Sequence, residues 1–399
     1  MTAEVTSGHA PKASFWRDQR NRAIITQILV IGSFVALVWF IVDNTVSNLS
    51  RLGIEPGFEF MGEIAGFMPT SPNFNITNFD VNSSTHGDVF FLGLVNTILI
   101  SFCGIVLSTI VGFFFGVLRL SSNLLISFVA AIYIEGTRNV PLLLQILIWY
   151  FGVFLALPNV RDSLVIKDVI FLNDRYLTFP VPVPESGFML FPIAIILAIG
   201  GVIAIARWAK KRQDATGQQF PVFWVSLAIL LGLPFLALAV TGFPVSWDVP
   251  SLQGFNFQGG TQAPAAFWAL LAALTFYTGA FIAENVRAGI QAVSHGQTEA
   301  AYALGLRPGL TQRKIIIPQA LRVIVPPTTS QYLNLTKNSS LAIAIGYPDL
   351  VNVFTGISLN QTGNAVEIIA LTMLVYLTIS LLISLFMNWY NKRIALVER

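Results

Sequence analysis

The sequence predicts an all-α integral membrane protein with about eight transmembrane helices, and three observations carry that prediction. First, 54% of the 399 residues are hydrophobic and only 11% are charged, whereas a soluble domain carries about 25% charged residues. So few charges do not cover a water-facing surface of this size, and lipid must solvate much of the chain. Second, eight apolar runs lie near the roughly 20 residues that cross about 30 Å of hydrocarbon, at 24–42, 90–118, 124–157, 188–206, 220–241, 264–284, 323–346 and 368–389. Third, Lys and Arg alternate between the connecting segments. With the N-terminus in the cytoplasm, 17 fall on the inner side and 4 on the outer (Arg51, Arg161, Lys167 and Arg175), with Arg138 and Lys337 at membrane depth. The opposite orientation inverts the positive-inside bias, so both termini are placed in the cytoplasm. A formal net charge of +3 is too small to point to nucleic acid, and a single cysteine, Cys103, excludes an internal disulfide.

In chain order, 1–42 is a cytoplasmic N-terminus and first span. Its apolar stretch is longer than a signal-peptide core and no small-residue cleavage site follows, so it reads as retained. Region 43–89 is an outer loop rich in Gly, Pro, Asn and Ser, with six acids against one base over 43–90. It is either an ordered cap or docking surface, or a solvated connector. Region 90–157 holds spans two and three. Gly112 and Gly116 form a small-xxx-small pair that lets helices approach closely. Residues 124–157 as one helix would reach about 50 Å, too long for a straight span. Gly136 and Pro141 place a bend there, with 124–134 shallow on the cytoplasmic side and 141–157 crossing. Region 158–263 reads as an insertion of two spans, a basic cytoplasmic loop from Arg207 to Arg212, and outer loops with Pro180, Pro182 and Pro184. Region 264–390 holds span six, a cytoplasmic connection at 284–322, and spans seven and eight; 391–399 is a cytoplasmic tail.

The connection 284–322 contains a short helix with defined ends. Gly296 opens it, Thr298 is the expected N-cap, and Glu299 favours the positive end of the helix dipole. Ala300, Ala301, Ala303 and Leu304 make a small apolar face, and Gly305 supplies a left-handed stop. A second short helix is expected after Pro308-Gly309, with Thr311 as cap and an end at Pro318. A stubby, small-faced helix at the membrane surface suits a groove on another protein. An amphipathic interfacial loop without a partner is the other reading that physics leaves open.

Span seven is too polar to face lipid and reads as lining a translocation path. Asn334 and Asn338 share a face at i, i+4 and are placed to hydrogen-bond a substrate; Asn338 as interhelical glue is the alternative. Lys337 needs a partner, either a substrate carboxylate or Glu367 in a structural ion pair. Glu135 and Arg138 are three residues apart and expected to pair locally, as a structural clamp or inner gate, with direct substrate contact as the alternative. His295 stands alone and reads as structural. No cluster with metal-ligand spacing and no Gly-x4-Gly-Lys-Ser/Thr phosphate loop is found, so no metal site and no ATP hydrolysis are expected in this chain.

Glu299-Ala300-Ala301, three residues, Gly305, nine residues, and Ile315-Ile316-Ile317-Pro318 resemble the EAA loop of ABC importer permeases, with Ile317 in place of a Leu. The stretch Glu135 to Gln145, the pair Thr97-Ile98 after Gly93, and Lys337 to Leu341 with Ile345 to Leu350 resemble the polar amino-acid uptake branch. The match covers about 90–157 and 264–390, and the eight-span layout resembles the larger permeases of general L-amino-acid importers. The resemblance implies a five-helix permease core (spans two, three, six, seven and eight) with a two-helix insertion. It implies a coupling helix that docks on an ATPase, carried by Gly296, Glu299, Ala300, Ala301, Leu304, Gly305 and Pro318. The expected substrate path is Thr97, Asn334, Lys337, Asn338 and Ser339, and the expected gate or structural set is Glu135, Arg138 and Gln145. Expected partners are an ATPase dimer holding ATP and Mg, a second related permease, a periplasmic amino-acid-binding protein and membrane lipid. An ion-coupled secondary transporter of small zwitterions is one rival, although no internal repeat supports it. A membrane scaffold or sensor, or an opine-like substrate for the same family, are the others.

Overall fold

A computed structural model describes residues 19–51, 57–69 and 79–394; three of the inner-side basic residues, Lys12, Arg17 and Arg399, lie outside the described residues. The first span is helix α1 (Gln19–Arg51), and none of its apolar window is buried within the chain. After a 3-10 turn at Glu59–Gly62 comes α2 (His86–Leu118), opened by a capping box in which Thr85 and Asp88 satisfy each other's backbone N–H groups. The third run is broken into α3 (Leu124–Arg138) and α4 (Leu142–Leu147), the latter prolonged by a π-helical stretch to Phe154. The two arms bend by 107°. Pro141 removes an N–H at the break, and Gln145 closes the gap by donating from Nε2 to the carbonyls of Thr137 (2.8 Å) and Val140 (2.9 Å). The first arm therefore runs to Arg138, past the 134 expected.

The chain is mostly helical, as expected, and region 158–264 adds short strands to it. Strands β1 (Leu164–Ile166), β2 (Ile170–Leu172), β3 (Tyr176–Phe179) and β4 (Val181–Pro184) precede helices α5 (Leu190–Thr216) and α6 (Val222–Val240). Strands β5 (Val245–Asp248), β6 (Ser251–Gln253), β7 (Asn256–Gln258) and β8 (Thr261–Pro264) follow. They form a four-stranded sheet of order β1-β2-β3-β8 and two ribbons, β4-β5 and β6-β7. The cause is composition: β-branched and aromatic residues such as Val165, Ile166, Phe171, Tyr176 and Val181 favour a pleated, half-buried surface. The prolines do not forbid it, because Pro182 and Pro184 lie on a two-stranded ribbon opposite Trp247 and Val245, where an edge tolerates a missing donor.

Helix α7 (Ala265–Gln291) leads to the short α8 (His295–Ala303) and α9 (Pro308–Thr311), then α10 (Ile317–Asn338), α11 (Leu359–Thr362) and α12 (Ala365–Ile394). Among the described residues six helices, α1, α2, α5, α6, α7 and α12, are long and apolar enough to cross a membrane, and the bent α3–α4 pair, taken as one span, makes a seventh. Helix α10, the expected seventh span, is too polar to count among these candidates.

Helix α7 is the hub, buried along most of its length between α2, α3, α4 and α10, while α5 packs on α6. A side chain on Gly112 would place Cβ 2.5 Å from Ile282, and one on Gly116 would meet Val286 at 2.7 Å. The pair therefore permits the α2–α7 approach inferred from its spacing. Overpacking of this kind costs about 1–3 kcal/mol, more where backbone must move. Gly112→Leu is expected to lower the yield of monodisperse protein after detergent extraction, measured by size-exclusion chromatography, while Gly200→Leu, where an added Cβ meets nothing, leaves it unchanged.

Candidate translocation path and coupling arm

Helix α8 projects beyond the end of α7. Its N-cap is Ser294, not the expected Thr298, which falls in the second turn. The chain leaves α7 through Ala292 and Val293, so the first extended residue before the new helix is Ser294, and Gly296 sits in the first turn. The C-terminus closes as a Schellman motif: Gly305 N–H donates to Tyr302 O (2.9 Å) and Leu306 N–H to Ala301 O (3.1 Å), with Gly305 at φ +74°. Ala301 alone of the small face is buried. Glu299, Ala300 and Ala303 are exposed, and so are the larger Tyr302 (50%) and Leu304 (79%). His295 is not isolated, since its Nδ1 lies 3.0 Å from Glu299 Oε1 on this exposed face.

The second short helix also differs from expectation. Pro308, not Thr311, opens it, in the first turn where its missing N–H costs nothing. Thr311 is buried and donates to Arg307 O at 3.2 Å. The helix does not stop at Pro318; a π-helical stretch at Gln312–Ile316 carries it directly into α10, with Pro318 in the first turn of that helix. Gln319 Nε2 donates to Gln297 Oε1 at 3.1 Å. The arm is therefore tied to the root of α10 by both the main chain and a side-chain bond.

Helix α10 has two faces. Thr328, Leu335 and Thr336 are buried, and the hydroxyls turned inward bond their own backbone: Thr328 to Ile324 O at 2.7 Å and Thr336 to Tyr332 O at 3.1 Å. That removes the cost of burying them. The opposite face is open. Val323, Pro327, Ser330, Asn334 and Lys337 are all exposed, at the alternating four- and three-residue spacing of one helical stripe. Asn338, partly buried, flanks it. Among the described residues, no hydrogen bond or ion pair reaches the side chains of Asn334, Lys337 or Asn338. A polar stripe of this kind on a membrane-embedded helix faces water, substrate or another protein rather than hydrocarbon.

Two expected path residues are placed differently. Thr97 is fully buried, and its Oγ1 accepts the Leu350 N–H at 3.0 Å. Ser339 is equally buried and donates to Thr336 O at 2.7 Å. Both belong to the packing that holds the stripe rather than to its open face. Lys337 does not pair with Glu367, whose Oε1 accepts the Gly57 N–H at 3.0 Å. The reason is position: Lys337 points to the open face, whereas Glu367 is buried at the start of α12.

The hairpin after α10 contains a clamp that the sequence did not reveal. Asn96 Nδ2 donates to Pro348 O at 2.9 Å, and Tyr347, fully buried, donates its hydroxyl to Asn96 O at 3.2 Å. Tyr376 donates to Asp349 Oδ2 at 3.2 Å, and Asn352 N–H to Asp349 Oδ1 at 2.9 Å. An amide within an apolar run, such as Asn96, needs an internal partner, and that was the available signal.

Glu135 and Arg138 do not form the expected local pair. Glu135 is exposed, and Arg138 turns its guanidinium over the Phe281 ring, 5.2 Å from the centroid. The ion pair at this level joins Glu284 and Arg287 instead, with Nε to Oε2 at 2.9 Å and a second bond from Nη2 to Oε1. Arg119 and Arg138 act electrostatically on Glu284, and Glu135 on Arg287. Charged groups from the ends of α2 and α3 thus gather near the Glu284–Arg287 pair on the last turns of α7, just before the arm. Gln145 takes the structural role described at the bend.

The model of the family described as binding-protein-dependent transport system inner membrane component matches residues 215–396. The chain is 48% identical over 382 residues to the general L-amino acid transport system permease protein AapQ of Rhizobium johnstonii, covering 96% of this chain and 94% of the relative. This chain belongs to the ABC importer permeases. It is 49% identical over 378 residues (95% of each chain) to YhdX of Escherichia coli, whose name describes an amino-acid ABC transporter permease. It is 44% identical over 429 residues (98% of each) to the glutamate/glutamine/aspartate/asparagine transport system permease protein BztB of Rhodobacter capsulatus. The permease is thus a multi-pass inner-membrane translocation subunit.

Proposed function

We propose that this permease carries L-amino acids, predominantly polar and of broad specificity, inward across the bacterial membrane by ATP-driven alternating access. Relatives that match nearly its whole length are named for such substrates. The single observation that carries the mechanism is that the exposed helix α8 is rooted in the polar helix α10, through the α9 connection and the Gln319–Gln297 bond. Displacing α8 therefore moves the polar stripe. ATP and Mg reside on separate ATPase subunits that grip α8. One chain supplies one arm, so a second, related permease completes the pair and closes the stripe into a pathway. Both termini are cytoplasmic, and an external binding protein delivers cargo on the side of the β-sheet. The glutamate- or glutamine-type cargo is expected to meet Asn334, Lys337 and Asn338.

The test is uptake of radiolabelled L-glutamine and L-glutamate into proteoliposomes holding the permease pair and ATPase subunits, with the binding protein supplied outside. Uptake should require ATP inside. Uptake that persists without ATP or ATPase, and follows an ion gradient, would instead establish a secondary transporter.

A further inference from the structure

The β-sheet meets the helical core at the turn between β2 and β3, and two charged side chains gathered there have no ion-pair partner among the described residues. Asn173 is fully buried and fixes the turn. Its Oδ1 accepts the N–H groups of Arg175 (3.0 Å) and Tyr176 (2.9 Å), and its Nδ2 donates to Ser163 Oγ (3.1 Å). The backbone is pinned on both sides: Asp174 N–H donates to Pro158 O (3.0 Å), and Arg175 O accepts the Ala265 N–H (2.8 Å) at the start of α7. Asp174 is thereby held with its Oδ1 buried and without a hydrogen bond. Leaving a buried carboxylate oxygen unsatisfied is costly, so its hydrogen-bond partner lies outside the described chain, in water, an ion or a ligand. The adjacent Arg175 is exposed, and among the described residues neither it nor Asp174 forms an ion pair.

These two side chains border a cavity of about 470 Å³, lined also by Tyr150, Tyr176 and the Ile345–Gly346 turn. That volume is within the range of small-molecule sites. A second cavity of about 400 Å³ opens on the other side of the same turn, where Arg161 stacks on Phe255 at 4.3 Å. The first cavity lies at the end of α7 opposite the coupling arm, and its floor is the segment that continues the polar helix α10. An acid and a base side by side, without an ion-pair partner among the described residues and bordering both cavities, match a ligand that carries both charges itself. The phenol rings of Tyr150 and Tyr176 suit an ammonium group.

We infer that the Asp174–Arg175 corner is an external subsite for a zwitterionic α-amino acid, with the ammonium group on Asp174 and the carboxylate on Arg175. Cargo is held there, at the outer end of the polar stripe, before it enters the path between the two permeases. This rests on the importer reading for the direction of flow, but the site itself is defined by its own residues.

The experiment is calorimetric titration of the permease, assembled with its partner permease and ATPase in nanodiscs and without binding protein. The probes are L-glutamine, 4-aminobutanamide, which lacks the carboxylate, and glutaramate, which lacks the ammonium group. L-glutamine is expected to bind, with both analogues at least tenfold weaker. Asp174→Asn, which keeps shape and removes charge, should weaken L-glutamine about tenfold or more, as loss of a charge-assisted hydrogen bond does. Arg175→Gln alters an exposed side chain and carries the same expectation should Asp174→Asn fail to assemble. L-glutamine affinity unchanged in either assembled variant overturns the inference. So does a variant that loses affinity only for the external binding protein, which would make the corner a docking contact. Absence of L-glutamine binding in an unaltered complex that still performs ATP-driven uptake overturns the subsite and leaves the importer reading standing; failure of uptake itself would count against that reading separately.

Discussion

Replacing Gly305 by Asp is expected to strip the ATPase subunits from the permease while leaving the protein in the membrane. Gly305 ends α8 at φ +74°, directly after the most exposed apolar side chain of the arm, Leu304. A carboxylate there meets three penalties. It occupies a left-handed position less readily than glycine, it opposes the negative end of the helix dipole, and it is desolvated when the arm enters a groove, where an unpaired charge is expensive. An added side chain at Gly305 meets nothing within the permease itself, so its cost to the permease fold is the strained left-handed backbone and not a clash. Gly305→Asn separates the causes, because it tolerates the same backbone and carries no charge. Co-purification of the ATPase should fall roughly tenfold or more for Gly305→Asp, since each 1.4 kcal/mol is a factor of ten, and remain near normal for Gly305→Asn. Normal co-purification with Gly305→Asp would mean that α8 is not gripped.

Removing the charge of Lys337 is expected to abolish most transport without disturbing assembly. Lys337 is the last residue of the exposed stripe on α10 and forms no ion pair among the described residues, while its neighbours Thr336 and Ser339 are buried and satisfied. An ammonium at this depth is retained only where water or a ligand receives it. Lys337→Met keeps the length and apolar stem. If the ammonium holds a substrate carboxylate, the loss is that of a charge-assisted hydrogen bond, about 1.5–3 kcal/mol, or roughly 10- to 150-fold in substrate affinity. Uptake at low substrate should fall accordingly, with the ATPase still bound. If Lys337 were only a structural cation, the methionine variant would be neutral or more stable, with uptake intact. Asn338→Leu should show a smaller loss of the same kind, since a neutral hydrogen bond is worth about 1 kcal/mol.

Much of this architecture is written in local sequence. The spans follow from apolar length, the bend from Pro141 in a run too long to be straight, the α2–α7 approach from Gly112 and Gly116, and the end of α8 from Gly305. The parts that were misread depend on which way a side chain turns or on distant pairing. Arg138 stands three residues from Glu135, yet the packing of α3 on α7 offers it the Phe281 ring instead. Thr97 and Ser339 sit in polar patterns that suggest a lining, but the hairpin at Leu350 claims one and α10's own backbone the other. Strand β3 pairs with β8 across some eighty residues and two helices, and strands of three or four residues leave little periodicity to read. The Asn96–Pro348 bond spans 252 positions, which no local window contains.

The most direct test of the central claim, that α8 is the handle by which a separate motor grips the permease, is site-directed cross-linking from the arm. The chain has one cysteine, Cys103, so Cys103→Ser gives a cysteine-free background. Leu304→Cys in that background, carrying a short photoreactive thiol label, should cross-link to the ATPase subunit in the assembled importer, with a yield that changes when ATP is added. Labelling of that position by a membrane-impermeant reagent from outside intact cells, or an arm that cross-links to lipid alone in the assembled particle, would contradict the account.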